Sequence, residues 1–211
     1  MSFKENKYEV IRGAISCDLA NFLYNYIMTK RDVAKRIAVE GELSQDIGDI
    51  IGRINVLNET WSWDDPQAPD SYCFYSDIAM ETLMIKVKYL CEKVVGEQLH
   101  PTYSYGRIYK ENDVLAPHKD RGECEISATM FLGGQNWDIY IEPDERIDLN
   151  VGDMMVYAGS KLEHWRNKFE GTDCAQVFLH YHRVSNEYAR PFDGRGQIGL
   201  PAGYRGTIYG L

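Results

Sequence analysis

His118 and Asp120 stand two residues apart in the segment APHKDRGE, so on an extended strand both side chains leave the same face and can reach one metal ion. A later histidine from a neighbouring strand would complete a set of two imidazoles and one carboxylate. Such a set occupies one face of an octahedral ion and leaves the opposite positions open, which is what an iron(II) ion needs to bind a cosubstrate and oxygen together. HxD alone is a weak signal, because many such triplets are solvated turns. Its context here is stronger: Gly152-Asp153 forms a tight turn before the apolar run MMVYA, and a polar turn then delivers His164 at the start of the next strand, as a barrel mouth requires. Of the other histidines, His180 and His182 share one face of AQVFLHYH, a core strand by composition, and are expected to be buried hydrogen-bonded imidazoles or groups behind the ligands. His100, before Pro101, is expected to be structural or exposed.

The elements that must position these residues change character near the middle of the chain. Leu19, Phe22, Leu23, Tyr26 and Ile27 recur at helical spacing after Ser16, a suitable N-cap, and predict an amphipathic helix over 16–39. The stretch TWSWDDPQAPDSY has no regular period and predicts a loop of the kind that borders sites. A second helix over 76–95 follows, capped by Ser76 or Asp77, striped by Met80, Leu83, Met84, Val87, Leu90, Cys91, Val94 and Val95, and ended by Gly96. Beyond it come short runs with strand character: YSYGRIY, CEISATMFL, WDIYI, DMMVYA, LEHWRN and CAQVFLHYH. Helices first and many short strands afterwards predict an α+β chain whose second half is a sandwich or barrel. The expected organisation is one domain over 1–211, with mainly helical support in 1–100, a barrel core in 101–184 and a glycine- and proline-containing extension in 185–211 to which no chemistry is assigned.

Composition excludes some partners. The 211 residues carry a net charge of −9 and no basic run, which argues against nucleic acid. No apolar stretch is long enough to suggest a membrane span, and the start MSFKENKYEV lacks the apolar centre of a signal peptide, so a soluble cytoplasmic protein is expected. Cys17, Cys73, Cys91, Cys124 and Cys174 are scattered and odd in number, as free thiols would be.

From about Tyr103 to His182, through RIYKENDVLAPHKD, CEISATMFL, VGDMMVYAGSKLEHW and CAQVFLHYH, the sequence resembles the prolyl-4-hydroxylase-like branch of the iron(II)- and 2-oxoglutarate-dependent dioxygenases. The resemblance implies a double-stranded β-helix, a jelly-roll or cupin-like barrel, with the two helices buttressing its outer sheet. It maps the iron ligands onto His118, Asp120 and His164. It places Tyr109 where the family has a tyrosine that hydrogen-bonds the cosubstrate, and it makes Phe131 and Leu132 walls of the cosubstrate pocket. The implied cofactors are Fe(II), 2-oxoglutarate and O2, with ascorbate as an optional reductant. The implied reaction is hydroxylation of an unactivated carbon, usually of a peptidyl proline in a peptide or protein substrate. Two readings compete: the same chemistry on a small molecule or nucleobase, and a barrel that has lost catalysis and serves as a metal-binding sensing module.

In one respect the sequence departs from the family. A basic residue that pairs with the distal carboxylate of 2-oxoglutarate stands nine or ten positions after the second metal histidine in relatives; here those positions are Asp173 and Cys174. Strand geometry offers Arg166 instead, because it lies two residues after His164 and its guanidinium can grip a carboxylate with two hydrogen bonds. Lys168 and Arg107 are reserves.

Overall fold

The computed structural model describes residues 3–43 and 61–201. In chain order its strands are β1 (Tyr8–Ile11), β2 (Trp61–Ser62), β3 (Tyr72–Tyr75), β4 (Leu99–Lys110), β5 (Leu115–His118), β6 (Ile126–Gly134), β7 (Ile139–Ile141), β8 (Glu145–Ile147), β9 (Met154–Tyr157), β10 (His164–Arg166) and β11 (Asp173–Arg183). They form a larger sheet in the order β1-β9-β6-β11-β4-β3-β2 and a smaller one in the order β5-β10-β7-β8, all pairings antiparallel. From β4 onward the chain passes back and forth between the two sheets, so that each sheet takes alternate turns of the path. The fold is a double-stranded β-helix.

Among the described residues three α-helices support it: α1 (Phe3–Asn6), α2 (Cys17–Leu43) and α3 (Ile78–Val95). Ser16 Oγ accepts from Leu19 N at the start of α2. Asp77 caps α3 by accepting from Ala79 N and Met80 N, and Gly96 closes it at φ 80°, a left-handed conformation that glycine adopts without strain. Its stripe of Met80, Leu83, Met84, Val87, Cys91 and Val95 is buried, each large apolar side chain contributing about 1.5–3 kcal/mol. Helix α2 crosses β6 where residue 133 is glycine; a Cβ there would stand 2.7 Å from Tyr24 Cγ.

Two hydrophobic cores result. One lies between the helices and the larger sheet, and the other between the two sheets. Strand β6 contributes to both because successive side chains point to opposite faces: Met130 and Leu132 join the helix-side core, while Phe131 joins the inter-sheet core with Tyr109, Trp137 and Ile139. Leu132, expected as a pocket wall, is therefore on the wrong face of its strand for that role.

The first hundred residues hold more strand than their helical periodicity predicts. Strand β1 pairs with β9 at one edge of the larger sheet, and β2 and β3 extend the other edge. These strands are two to four residues long, too short for an alternating pattern to register. The loop between β2 and β3 is tied to the barrel by Lys110 Nζ donating to Pro69 O at 2.8 Å and by the Ser71 hydroxyl donating to Asp113. The C-terminal extension is strapped down as far as residue 201, and the expectation for 202–211 lies outside the described residues. No helix among the described residues is long and apolar enough to cross a membrane.

Candidate metal centre

Residues on β5 and β10 meet because the strands pair in register, His164 opposite His118. Asp120 follows β5 and is fixed by its own N–H donating to Gly159 O at 2.9 Å. The carboxylate Oδ1 of Asp120 lies 3.5 Å from His164 Nε2 and 3.8 Å from His118 Nε2. One ligand atom from each of the three residues can be chosen so that all lie within 4.8 Å of one another.

Hydrogen bonds behind these atoms set their chemistry. His118 Nδ1 is 2.9 Å from Ala116 O, and His164 Nδ1 is 3.1 Å from Leu162 O. A carbonyl only accepts, so both Nδ1 atoms carry the proton and both Nε2 atoms present a lone pair. Burial, reinforced by the neighbouring His164, holds the His118 imidazole below its ordinary pKa and so keeps it neutral. Burial works against ionising Asp120, but the imidazoles of His164 and His180 beside it and the Ser127 hydroxyl overcome it and hold the carboxyl well below the usual range. Ser127 Oγ donates to Asp120 Oδ2 at 2.6 Å, which leaves Oδ1 for the ion. Two imidazoles that present their Nε2 lone pairs and an ionised carboxylate are the donor chemistry that suits a divalent first-row ion.

A second group, Asp120, Cys124 and His180, also clusters. There Ser127 Oγ already bonds Asp120 and lies 3.0 Å from His180 Nδ1. His180 is buried and held down to about 4 by burial, and it acts on the triad through Ser127. His182 lies 3.6 Å from Glu125, and His100 sits half-buried on β4.

A cavity of about 400 Å³ opens onto the triad. Tyr103, Tyr105, Arg107 and Tyr109 line it from alternate positions of β4, Phe178 and His180 from β11, and Asp65 and Gln67 from the β2–β3 loop. That four-residue alternation was present in YSYGRIY, but only the pairing of β4 with β11 gives the face a site to point into. Asp65 had no sequence signal beyond its loop; it binds the Tyr105 hydroxyl and the Arg107 guanidinium.

Arg166 is buried on β10, one Nη donating to Trp137 O while Nε and the other Nη have no partner among the described residues. It does not line the open cavity; it lies against the Trp137 ring, which packs edge-on to Tyr109 at 4.9 Å. Burial raises the Cys174 thiol while Arg166 pulls it down, so the guanidinium projects beside the position where a basic residue was missing. Arg107 also has an unpartnered Nε, but its charge is matched by Asp65 and its Nη1 donates to Tyr109 Oη at 3.0 Å. Lys168 is exposed. Two orphaned nitrogens on a buried, uncompensated guanidinium fit a carboxylate.

No family model matches this sequence, and no curated protein matches it. Solved structures do. A Pseudomonas putida prolyl-4-hydroxylase superposes with a TM-score of 0.56 at 11% identity, over 87% of this chain and 96% of that one. HygX from Streptomyces hygroscopicus, bound to nickel, 2-oxoglutarate and hygromycin B, gives 0.56 at 13% over 87% and 85%. SnoN, a non-heme alpha-ketoglutarate-dependent epimerase from nogalamycin biosynthesis, gives 0.59 at 13% over 97% and 92%. The chain has the double-stranded β-helix fold of the 2-oxoglutarate- and iron(II)-dependent oxygenases.

Proposed function

We propose that this protein is an iron(II)- and 2-oxoglutarate-dependent dioxygenase that hydroxylates an unactivated carbon. The observation that carries the reading is the convergence of His118 Nε2, His164 Nε2 and Asp120 Oδ1 in the lining of the cavity, each side chain oriented by a hydrogen bond at its other heteroatom. These three would hold the ion on one face. Iron with 2-oxoglutarate and O2 supplies, when bound, the oxidising power that decarboxylation to succinate releases.

The remaining roles fall to the chain's own groups. Arg166 neutralises the distal carboxylate of 2-oxoglutarate. The Tyr109 phenol accepts from Arg107 and so keeps its own proton free to donate to the cosubstrate. Tyr105, Phe178 and Tyr157 exclude water from the metal side of the cavity, and Phe131 packs behind them. Peptidyl proline is the substrate the family resemblance implies. A small molecule is the better fit to a cavity of about 400 Å³ partly covered by the β2–β3 loop, and HygX is a structural neighbour that binds one, hygromycin B.

Anaerobic addition of iron(II) and then 2-oxoglutarate should produce the metal-to-ligand charge-transfer band, and admitting oxygen should yield succinate. Asp120→Ala should abolish both while circular dichroism stays unchanged, since a half-buried ligand contributes little packing. A band without succinate would support the sensing barrel instead; metal binding that survives in Asp120→Ala would remove the triad from the argument.

A further inference from the structure

The cavity is lined by cations that the cosubstrate reading does not use. With Asp120 counted among the metal ligands, the formally charged side chains lining it are Arg107, Lys119 and Arg121 against Asp65, in a chain of net charge −9. Asp65 is already matched by Arg107. Lys119 has no hydrogen-bond or ion-pair partner among the described residues.

Arg121 is oriented and still available. Its Nε donates to the Tyr103 hydroxyl at 3.1 Å, and its guanidinium lies 4.5 Å over that ring. Nη2 donates to Asp193 at 2.9 Å, whereas Nη1 meets only Glu123 at 3.8 Å, and the side chain is 48% exposed. Asp193 comes from the C-terminal extension and also accepts from the Tyr75 hydroxyl at 2.6 Å. The extension is anchored two residues later by Arg195, paired with Glu81, both fully buried. A part of the chain with no chemistry in its sequence thus holds a cation at the cavity.

The cosubstrate does not account for these cations. Arg121, next to Asp120 in the chain, lies over Tyr103 at one end of β4, while Arg166 lies at the Tyr109 end, against Trp137. Six residues of strand separate the two tyrosines, about 20 Å. A five-carbon diacid that reaches from the metal to Arg166 does not return to the opposite end.

The geometry points to a small organic acid as the primary substrate: its carboxylate or phosphate docks on Arg121 and Lys119, and its flat or apolar body lies against Tyr103, Tyr105 and Phe178. This assignment rests on the oxygenase reading for its chemistry but not for its binding.

Calorimetry on protein loaded anaerobically with iron(II) and 2-oxoglutarate tests it, with benzoate and phenyl phosphate as probes, benzamide as their neutral counterpart and a terminally blocked proline dipeptide as the peptide counterpart. The two anions should bind about tenfold more tightly than either neutral probe and weaken as salt rises. The margin should vanish in Arg121→Gln and shrink in Lys119→Gln, yet persist in Lys93→Gln on the exposed side of α3. The proposal is overturned if neither anion binds, if the neutral probes match them, if the margin survives in Arg121→Gln, or if benzoate displaces 2-oxoglutarate, which would make the cationic lining the cosubstrate's alone. Failure to take up iron and 2-oxoglutarate would overturn the oxygenase reading instead, and the same titrations on the metal-free protein would still decide whether the opening selects anions.

Discussion

At the scale of single residues, Arg166 is the most consequential side chain outside the triad. A buried guanidinium with no carboxylate paired to it among the described residues is costly to fold, and that cost is the ground for proposing it as the partner of the cosubstrate's distal carboxylate. Arg166→Ala should leave iron(II) affinity nearly unchanged and weaken 2-oxoglutarate binding by about 2–5 kcal/mol. Arg166→Lys should recover part of that, because an ammonium cannot make the two parallel hydrogen bonds of a guanidinium. Following the charge-transfer band in an anaerobic titration measures both variants, and unchanged affinity in Arg166→Ala would hand the role to Arg107. Arg166→Met should also raise the Tm of the cosubstrate-free protein, since it removes an unpaired charge and keeps most of the volume.

At the scale of elements, the turn between β9 and β10 does as much for the site as the strands it joins. A Cβ at Gly159 would overlap Asp120 Oδ2 and Ser127 Oγ and stand 2.8 Å from Cys124 O, so the turn can approach the ligand only as glycine. Gly159→Ala should therefore displace Asp120 and lower iron(II) affinity more than it lowers the unfolding midpoint; equal metal affinity would show that the turn yields instead. The turn before β9 has a structural task. Asp153 accepts from Arg12 Nη1 at 2.7 Å, Gly13 N at 2.8 Å and Asn150 N at 2.9 Å, tying β1 to the barrel. Burial alone would raise its pKa, but these hydrogen bonds and the Arg12 charge depress it. Its stabilisation is then fully present above the unfolded carboxyl value of about 4 and is lost as pH falls through the lower folded value. Asp153→Asn should lose stability at neutral pH and show a shallower acid limb, measured by urea unfolding from about pH 7 to about pH 3.

At the scale of the whole molecule, the C-terminal extension closes the structure. Arg195 donates to Glu81, to Thr102 O at 2.9 Å and to Leu200 O at 2.7 Å, and so joins α3, β4 and the extension at one buried point. Arg195→Ala would strand the Glu81 carboxylate and should cost about 3–5 kcal/mol in denaturant unfolding. The double variant Glu81→Leu with Arg195→Leu should cost clearly less, because it removes both charges together. If the two cost the same, the extension is held by its backbone contacts and not by the ion pair.

The sequence by itself determined the parts of this protein that local spacing encodes. The i, i+2 relation of His118 and Asp120, the stripe and caps of α3, and the succession of short strands were all readable, because each depends on residues near one another in the chain. Arg166 was readable too as a candidate for the missing basic residue, through its offset of two from His164. What faces what was left to tertiary structure. Phe131 and Leu132 are equally apolar, and only the placement of α2 over β6 decides which one faces the barrel. Asp65, Tyr103, Arg121 and Asp193 come from four separate segments, and no periodicity links them. The first three line one opening and Asp193 holds Arg121 there, because the closing of two sheets and the anchoring of the extension bring them together, and long-range packing of that kind has no signature in the local pattern of a chain.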